Sequence, residues 1–332
     1  MKKTFLEVIL KNSEIELTIL PEAGCHWPRL RIFKSGEWID LLSPVSDYAT
    51  ILSAPSSVGS YIMAPWANRL PGGVMEFDGQ KHNLRLNFPD NTAIHGDLRK
   101  RTWKVREATD SRFRAELNSA DYADFNYPFR LRFEYIVELQ DSTLTQSFFI
   151  TNKDTRPAPV GFGYHPFFKR HLRPGRKDPV LILPAAKIFE AKDHMPQGPA
   201  IPVSGRTDLR SPKPLGTPAL DDCFTELTEN RIRLNYPEDG VEVVFELAPV
   251  FQYVVLYIPN KATSEGARHL EKQELGTCPP LAGAEFLAIE PQTHVTGALP
   301  LAAQGWHDTG LKVLAPGERW GAPMKIRIEQ TA

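Results

Sequence analysis

The sequence predicts an all-β fold, with many short strands arranged as an antiparallel sandwich or barrel. Three observations support this prediction: β-branched and aromatic residues recur in short runs, turn-forming residues separate the runs, and no long helical pattern is present. The chain has 332 residues, of which 29 are proline and 22 are glycine. Because no segment keeps a helical apolar period over several turns, we expect few helices.

The strand candidates are spread along the whole chain, and one of them alternates clearly between apolar and polar residues. In FRLRFEYIVEL, the side chains of Phe129, Phe133 and Tyr135 fall on one face of a strand, and Arg130 and Arg132 fall on the other. The number of candidates implies a large sheet. In chain order they are Phe5–Leu10, Ile15–Leu20, Phe129–Leu139, Leu144–Thr151, Val180–Leu183, Arg231–Tyr236, Val241–Leu247, Tyr253–Ile258, Phe286–Ile289 and Met324–Ile328.

The segment Arg170–Leu220 is the least strand-like part of the chain, because it is rich in proline, glycine, arginine and lysine. We interpret it as long surface loops and not as a domain linker, since the apolar run VLILPAAKIFEA lies inside it. No internal repeat or low-complexity block divides the chain. A single domain over residues 1–332 is the simplest organisation.

Charge and hydropathy exclude several classes of partner. Lysine and arginine together number 39, and aspartate and glutamate 40, so no global field attracts nucleic acid or an anionic membrane. No apolar run reaches the ~18 residues that span a bilayer. Glu7 and Lys11 interrupt the apolar N-terminal segment and no small-residue cleavage site follows, which does not fit a signal peptide.

Cysteine spacing and the common motifs narrow the chemistry further. Cys25, Cys223 and Cys278 lie far apart and match neither a disulfide framework nor a metal site, so we expect reduced thiols and a cytoplasmic protein. The chain also lacks G-x-S-x-G, H-E-x-x-H, the P-loop and a dinucleotide-binding G-x-G-x-x-G. The chain therefore lacks the usual sequence motifs of serine-nucleophile, zinc-protease and nucleotide-binding enzymes.

The segment GFGYHPFF contains the most informative histidine. Pro166 restricts His165 to extended backbone conformations, and the neighbouring Tyr164, Phe167 and Phe168 are suited to wall its ring. An imidazole fixed and partly desolvated in this way is a candidate proton donor or acceptor near neutral pH. The structural alternative is a core histidine whose ring nitrogens bind backbone groups.

The segment FLAIEPQT contains the strongest carboxylate candidate. Apolar residues lead directly into Glu290, and Pro291 holds it in extended geometry. We expect a glutamate at the end of a buried strand to have a raised pKa, in the range useful to a general base. The structural alternative is a glutamate paired with an arginine at a sheet edge.

Three further segments contain candidate binding residues. APWANRLPGG places Asn68 and Arg69 just before a turn, where a guanidinium can donate several hydrogen bonds to sugar hydroxyls or a carboxylate, or can cap loop carbonyls. NTAIHGD sets His95 before a glycine. LDDCF contains Asp221 and Asp222, of which only one can face a given site, and we expect the other to be solvated.

The run LRKRTW brings together three consecutive cations, Arg99, Lys100 and Arg101. Such a run can bind phosphate. We favour the alternative of a solvated turn before a strand at Trp103–Arg106.

Taken together, these segments resemble the aldose 1-epimerase family, the galactose mutarotases. The matching pieces are ANRLPGGVMEFDGQ, NTAIHGD, GFGYHPFF, LDDCF, AIEP and VLAPGERW, which follow the family's order between residues 64 and 320. The resemblance implies a large antiparallel β-sandwich, called a supersandwich, with a sugar site in a cleft on its concave face. Two segments depart from the pattern: the basic LRKRTW after the histidine, and PQTH after the glutamate in place of TQ-N-x-P-D.

The resemblance also implies roles for individual residues. His165 resembles the family's general acid at the ring oxygen, Glu290 its general base at the C1 hydroxyl, and His95 its second site histidine. Arg69 and Asp221 match residues that bind sugar hydroxyls, and we group Asn68 with them. One acid and one base suffice to open and close a sugar ring, so we expect no metal and no cofactor.

Three functions follow as hypotheses. The first is an aldose 1-epimerase that interconverts the α and β anomers of a free hexose such as glucose or galactose. The second is a 1-epimerase of a hexose 6-phosphate or sulfonated hexose, motivated by the cations beside His95. The third is a non-catalytic carbohydrate-binding protein on the same fold. In each case we expect a small sugar as partner and a monomer or homodimer as the assembly.

Overall fold

The computed structural model describes residues 5–43, 45, 47–53, 55–56, 59–216, 219–259 and 286–330. Cys278 lies outside these residues. Within them, Cys25 and Cys223 are buried free thiols, and no described helix is long and apolar enough to cross a membrane.

Strands dominate the described part of the chain, as the sequence predicts, and the two α-helices there are short. The helices are α1 (Ala49–Ser53) and α2 (Ala298–Ala303). The strands are β1 (Val8–Lys11), β2 (Ile15–Leu20), β3 (His26–Lys34), β4 (Glu37–Asp40), β5 (Ser60–Met63), β6 (Arg69–Pro71), β7 (Val74–Phe77), β8 (Gln80–Asn83), β9 (Thr92–Ile94), β10 (Lys104–Ala108), β11 (Arg112–Asn118), β12 (Leu131–Gln140), β13 (Thr143–Asn152), β14 (Ala158–Val160), β15 (Gly163–Lys169), β16 (Val180–Ile182), β17 (Ala185–Ile188), β18 (Ala191–Lys192), β19 (Met195–Pro196), β20 (Ile201–Pro202), β21 (Lys213–Pro214), β22 (Leu220–Leu227), β23 (Arg231–Tyr236), β24 (Val241–Leu247), β25 (Tyr253–Ile258), β26 (Phe286–Gln292), β27 (Lys312–Leu314) and β28 (Arg319–Gln330).

Two large sheets form the body of the protein. The 11-stranded sheet has the order β1-β2-β3-β5-β15-β26-β25-β22-β17-β20, with β4 attached to β3. The 9-stranded sheet has the order β10-β11-β12-β13-β28-β24-β23-β16-β21. Neighbouring strands in both sheets are antiparallel, which confirms the predicted sheet type.

The main core lies between the inner faces of the two sheets, so the architecture is a sandwich. Phe168 of the 11-stranded sheet packs edge-on against Phe245 of the 9-stranded sheet, with ring centroids 5.6 Å apart. The alternation predicted for β12 is confirmed, since Phe133 and Tyr135 are buried in this core and Arg132 is partly exposed.

Alternation along each strand gives the 11-stranded sheet a second, outer face. In β15, Tyr164 and Phe168 enter the main core, whereas Phe167 belongs to a separate cluster on the outer face. His165 shares the outer face with Phe167 because the two are separated by one residue. By the same rule Ile289 of β26 points inward and Glu290 points outward.

Several strand predictions agree with the structure exactly in their bounds, namely those for β2, β23, β24 and β25. The prediction that Glu290 ends a strand was wrong. Strand β26 continues to Gln292, because that residue still pairs with Tyr253 of β25 and Gly163 of β15. The chain around Glu290 is therefore held on both sides by neighbouring strands.

The interpretation of Arg170–Leu220 as surface loops was only partly right. The segment contains the short strands β16 to β21. Most of them extend the two sheets at their edges, with β16 beside β23 and β17 beside β22. The outermost strands β20 and β21 each contain a proline, which an edge position tolerates because proline cannot donate a hydrogen bond to a further strand.

Candidate active site

The sheet register brings His165 and Glu290 to the same place on the outer face. Strands β15 and β26 are paired at Gly163 with Gln292 and at Phe167 with Ala288. This register sets His165 across from Glu290, with both side chains on one side of the sheet. The distance from His165 Nε2 to Glu290 Oε1 is 3.1 Å.

Burial shifts the proton affinities of this pair in opposite directions. The side chain of His165 is 7% exposed and that of Glu290 3%. Desolvation, assisted by the charge of Arg99, lowers the pKa of His165 to about 3. Desolvation, assisted by the charge of Asp221, raises the pKa of Glu290 well above its ordinary value. The sequence predicted a raised pKa for Glu290, and the structure gives a shift in the same direction.

These opposite shifts favour a neutral imidazole beside a protonated carboxyl. A neutral carboxyl can donate from Oε1 to His165 Nε2 across this contact, whereas His165 Nδ1 is buried without a hydrogen-bond partner among the described residues. The other carboxyl oxygen, Oε2, accepts a hydrogen bond of 3.3 Å from Gln292 Nε2. Moving the shared proton onto the imidazole produces a carboxylate base and an imidazolium acid with no change in the proton count.

Two aromatic rings that also contact each other pack against the His165 imidazole. Tyr61 stacks on it with centroids 4.8 Å apart, and Phe167 stacks on it at 4.5 Å. Tyr61 comes from β5, whose register sets it directly opposite His165. Of the ring walls suggested by the sequence, Phe167 lies against the imidazole as expected, whereas the prediction was wrong for Tyr164 and Phe168, which point into the main core.

His95 lies beside His165 and is fixed by a reciprocal pair of hydrogen bonds with Asn68. The two imidazoles meet edge to face with centroids 5.3 Å apart. The backbone N–H of Asn68 donates to His95 Nδ1 at 3.1 Å, and the N–H of His95 donates to the carbonyl of Asn68 at 3.0 Å. Because Nδ1 accepts, the neutral ring bears its proton on Nε2.

His95 can donate a hydrogen bond but is a poor acceptor of an additional proton. Desolvation and the charges of Arg99, His165 and Arg69 lower the pKa of His95 well below its usual value. The following Gly96 allows the loop to approach closely, since a Cβ at this position would lie 1.7 Å from the carbonyl oxygen of Ala64.

The loop that supplies Asn68 and Arg69 is anchored by a histidine that the sequence did not single out. His294 Nε2 accepts a hydrogen bond of 3.0 Å from the N–H of Ala67, while its Nδ1 lies 2.8 Å from the carbonyl of Val295. Burial lowers the pKa of His294 to about 4, so the ring is neutral. This histidine belongs to the divergent segment PQTH.

Arg69 is held by several contacts, so its position is defined before any ligand binds. Its Nε lies 2.9 Å from Asp90 Oδ2, and its Nη1 donates to Asn68 Oδ1 at 3.1 Å. Its guanidinium also lies over the ring of Phe88 at 5.7 Å. The structure therefore groups Asn68 and Arg69 as neighbours on one wall of the site.

Asp221 is the member of the aspartate pair that faces the site. It lines a cavity together with Asn68 and Arg69. Burial pushes the pKa of Asp221 upward, but the hydrogen bond from His194 and the charge of Arg69 outweigh it, and the net shift is downward. Asp222 is not simply solvated as predicted, because its Oδ2 lies 2.8 Å from Arg206 Nη1.

The cationic run is also less solvated than predicted. Arg99 is only 4% exposed, and it donates to Ser56 Oγ and to the carbonyl of Ile94 at 2.6 Å. Arg101 pairs with Asp97 and Asp124. Lys100 alone is exposed at the surface, as the sequence led us to expect for the whole run.

Four residues near the site were missed in the sequence: Tyr61, His194, Gln292 and His294. Gln292 had a usable signal, because two residues after Glu290 it must share the same strand face. The others had none, since their proximity to the site depends on strand pairing and loop packing between distant segments.

Two large antiparallel sheets, with a buried imidazole–carboxylate pair on the outer face of one of them, define a protein of the β-sandwich class. The family model described as aldose 1-epimerase matches residues 7–327, and the chain belongs to that family. The resemblance drawn from the sequence is thereby confirmed.

Two Escherichia coli (strain K12) relatives are each described only as uncharacterized proteins. YihR is 29% identical over 135 residues, which cover 40% of this chain and 43% of that protein. The chain thus matches less than half the length of YihR. YphB is 21% identical over 268 residues, which cover 80% of this chain and 82% of that protein.

Solved structures share the fold over nearly the full length. A galactose mutarotase-like protein from Clostridium acetobutylicum has a TM-score of 0.80 at 16% identity, covering 97% of this chain and 95% of that chain. Galactose 1-epimerase from Lactobacillus acidophilus NCFM has a TM-score of 0.73 at 17% identity, with 99% and 96% covered. The large antiparallel sandwich predicted for this chain is the galactose mutarotase-like fold.

Proposed function

We propose that this protein is an aldose 1-epimerase that interconverts the anomers of a free hexose such as glucose or galactose. The observation that carries the proposal is the contact of 3.1 Å between His165 Nε2 and Glu290 Oε1 in a buried site. This pair holds the single proton that an acid–base ring opening has to relay. Membership of the aldose 1-epimerase family supports the same reaction.

The reaction begins from the form in which Glu290 is a carboxylate and His165 an imidazolium. Glu290 takes the proton of the C1 hydroxyl while His165 gives its proton to the ring oxygen, the C1–O5 bond breaks, and C1 becomes an aldehyde carbon. Rotation about C1–C2 presents the other face of the aldehyde. Closure reverses both proton transfers, so the enzyme returns to its starting state with the opposite anomer released.

The other site residues have binding roles in this proposal. His95 Nε2–H donates a hydrogen bond near the ring oxygen, beside His165. Arg69 and Asn68 form one wall and Asp221 another wall of the same cavity, where they bind sugar hydroxyls. The positions of these groups are fixed by other contacts before the sugar arrives, which lowers the entropy lost on reaching the transition state.

Polarimetry on freshly dissolved α-glucose and α-galactose tests the proposal. We expect acceleration over buffer, and a loss of ~10²–10⁴-fold in kcat for Glu290→Gln and His165→Ala. Glu229→Gln, at an exposed position, is the matched carboxamide control. Wild-type rates from both site variants would refute the assignment, and sugar binding with no acceleration would point to a non-catalytic binding protein.

A second candidate substrate class, a hexose with an anionic substituent, is favoured by the state of Arg99. No carboxylate of the described residues lies within ion-pair distance of this buried guanidinium. Its charge also acts on His165 and His95, so it lies near the site. A buried charge without a counter-ion is unfavourable, and a phosphate or sulfonate on the substrate would supply one.

Comparing a hexose with its 6-phosphate separates the two substrate classes. If the natural substrate is anionic, kcat/KM should be higher for the 6-phosphate than for the free hexose. This preference should be lost in Arg99→Gln but not in Lys100→Gln. Retained activity of Arg99→Gln on free hexose would show that the variant still folds. Equal kcat/KM on both sugars would eliminate the anionic candidate.

A further inference from the structure

A small hairpin covers the cavity that Asp221 lines. Strands β18 and β19 pair only with each other, Ala191 with Pro196 and Lys192 with Met195. The two residues between them, Asp193 and His194, have φ values of 49° and 63°. Positive φ at both positions is the geometry of the tight turn that fits a two-residue hairpin.

The hairpin rests on the sandwich at its base and leaves its tip exposed. The base is closed by a hydrogen bond of 3.0 Å from the N–H of Gln197 to the carbonyl of Glu190. Met195 packs against Gly297 at the start of α2, where an added Cβ would lie 2.2 Å from Met195 Cε. Asp193 and His194, by contrast, are exposed at the tip.

His194 at the tip reaches the side chain that we assign to sugar binding. Its Nδ1 lies 2.9 Å from Asp221 Oδ2. The side chain of His194 is 44% exposed and that of Asp221 30%. Both residues line the cavity that also includes Arg69.

Each member of this pair keeps hydrogen-bonding capacity for a ligand. A carboxylate offers about four lone-pair sites, and the contact with His194 uses one oxygen. Neither Asp221 Oδ1 nor His194 Nε2 has a hydrogen-bond partner among the described residues. The two free groups lie on either side of one bridging contact, so each is left to bind a separate hydroxyl.

The cavity under the hairpin is small compared with pockets that bind small ligands. Pockets for small ligands usually enclose roughly 300–1,000 Å³, whereas the free volume of this one is about 10 Å³, no more than a single water molecule needs. The hairpin is held against the rest of the chain near its tip, by the contact of Met195 with Gly297 and, among its described polar side chains, by His194 alone. Lifting the tip therefore opens the cavity without disturbing either large sheet.

We propose that residues 190–197 form a flap and that His194 is a further substrate-binding residue, which closes on the hexose with Asp221. This inference rests on the proposed function for its ligand. Asp221 accepts a hydrogen bond from one ring hydroxyl, and His194 Nε2 binds its neighbour. The His194–Asp221 contact persists in the closed complex and orients both groups.

The test is His194→Gly, which removes the ring while suiting the positive φ at this position. Asp193→Gly is the matched control, because it loosens the same turn and leaves the imidazole in place. We expect His194→Gly to raise KM for galactose or glucose by about 10-fold, as for loss of one hydrogen bond. We expect kcat to stay within a factor of ~2 and Asp193→Gly to match wild type.

A binding measurement on the Glu290→Gln background keeps this inference separate from the proposed reaction. Sugar affinity measured there by saturation-transfer NMR should fall when His194→Gly is added. If affinity is unchanged or rises while wild type still mutarotates, the inference is overturned, and a rise would mean that His194 shields Asp221 from the sugar. His194-dependent binding with no wild-type mutarotation would support the inference and refute the reaction.

Discussion

Glu290 Oε1 lies 3.1 Å from His165 Nε2, and the two residues come from adjacent strands of the 11-stranded sheet. Both are buried, so neither is stable as an isolated charge. The pair is therefore a unit with one proton, and its members titrate together. The behaviour of the protein with pH follows from this relationship.

The first prediction concerns the pH profile of kcat/KM. The active form bears one proton on the pair, and acid abolishes it only when a second proton binds. Because the pKa of His165 is lowered to about 3, the acid limb should lie far below the ordinary histidine range. The alkaline limb should follow loss of the shared proton from Glu290, whose pKa is raised. Polarimetric rates from about pH 3 to about pH 9 check this, and an acid limb near pH ~6.5 would contradict it.

The second prediction concerns Tyr61, whose ring stacks on His165 at 4.8 Å. Tyr61→Ala should admit water beside the imidazole, raise the pKa of His165 and move the acid limb upward, with a lower kcat. Tyr61→Phe keeps the apolar ring and should leave the limb in place. NMR titration of the His165 ring provides the direct measurement. An identical shift in both variants would show that the hydroxyl, and not the ring, controls the pKa.

The third prediction compares two neighbouring aspartates. Asp221→Asn should raise KM by ~10-fold or more, because its carboxylate lines the cavity. Asp222→Asn should leave the kinetics unchanged and lower the free energy of unfolding by only ~0–1 kcal/mol, since its partner Arg206 is 53% exposed. Steady-state kinetics and denaturant unfolding of both variants decide the matter. A KM effect confined to Asp222→Asn would reverse the assignment.

The fourth prediction concerns the anchor of the Asn68–Arg69 loop. His294→Ala removes the acceptor for the N–H of Ala67 and leaves a buried donor unpaired. We expect the free energy of unfolding to fall by ~1–3 kcal/mol and KM to rise as Arg69 loses its position. His294→Gln can retain an acceptor and should recover part of the KM. If His294→Gln lost as much stability as His294→Ala and recovered none of the KM, packing and not the hydrogen bond would fix the loop.

The fifth prediction concerns stability in acid. The pKa of His294 is lowered to about 4 in the folded protein, against ~6.5 in an unfolded chain. Between these values the unfolded state binds more protons, so the free energy of unfolding falls as pH falls. In His294→Gln this slope should decrease by up to ~1.4 kcal/mol per pH unit, measured by urea unfolding. An unchanged slope would show that His294 is already protonated in the fold.

The sequence by itself determined the strands, the fold and the family. Period-two alternation is a local property, so segments such as Arg231–Tyr236 and Tyr253–Ile258 were predicted with their exact bounds. The family motifs are likewise contiguous in sequence, between residues 64 and 320, and the family they indicated is confirmed by the model that matches residues 7–327. They also named His165 and Glu290 as a pair, a role that stays a prediction until activity is measured.

The tertiary structure decided which side chains come into contact and how burial shifts their pKa values. Desolvation depends on packing from distant strands, so neither the lowered pKa of His165 nor its stacking on Tyr61 could be deduced from local sequence. Contacts between residues far apart in the sequence bring His194 to Asp221, pair Asp222 with Arg206 and bury Arg99. Strand patterns are encoded locally, whereas a site built from several strands and a hairpin exists only once the sheets have paired.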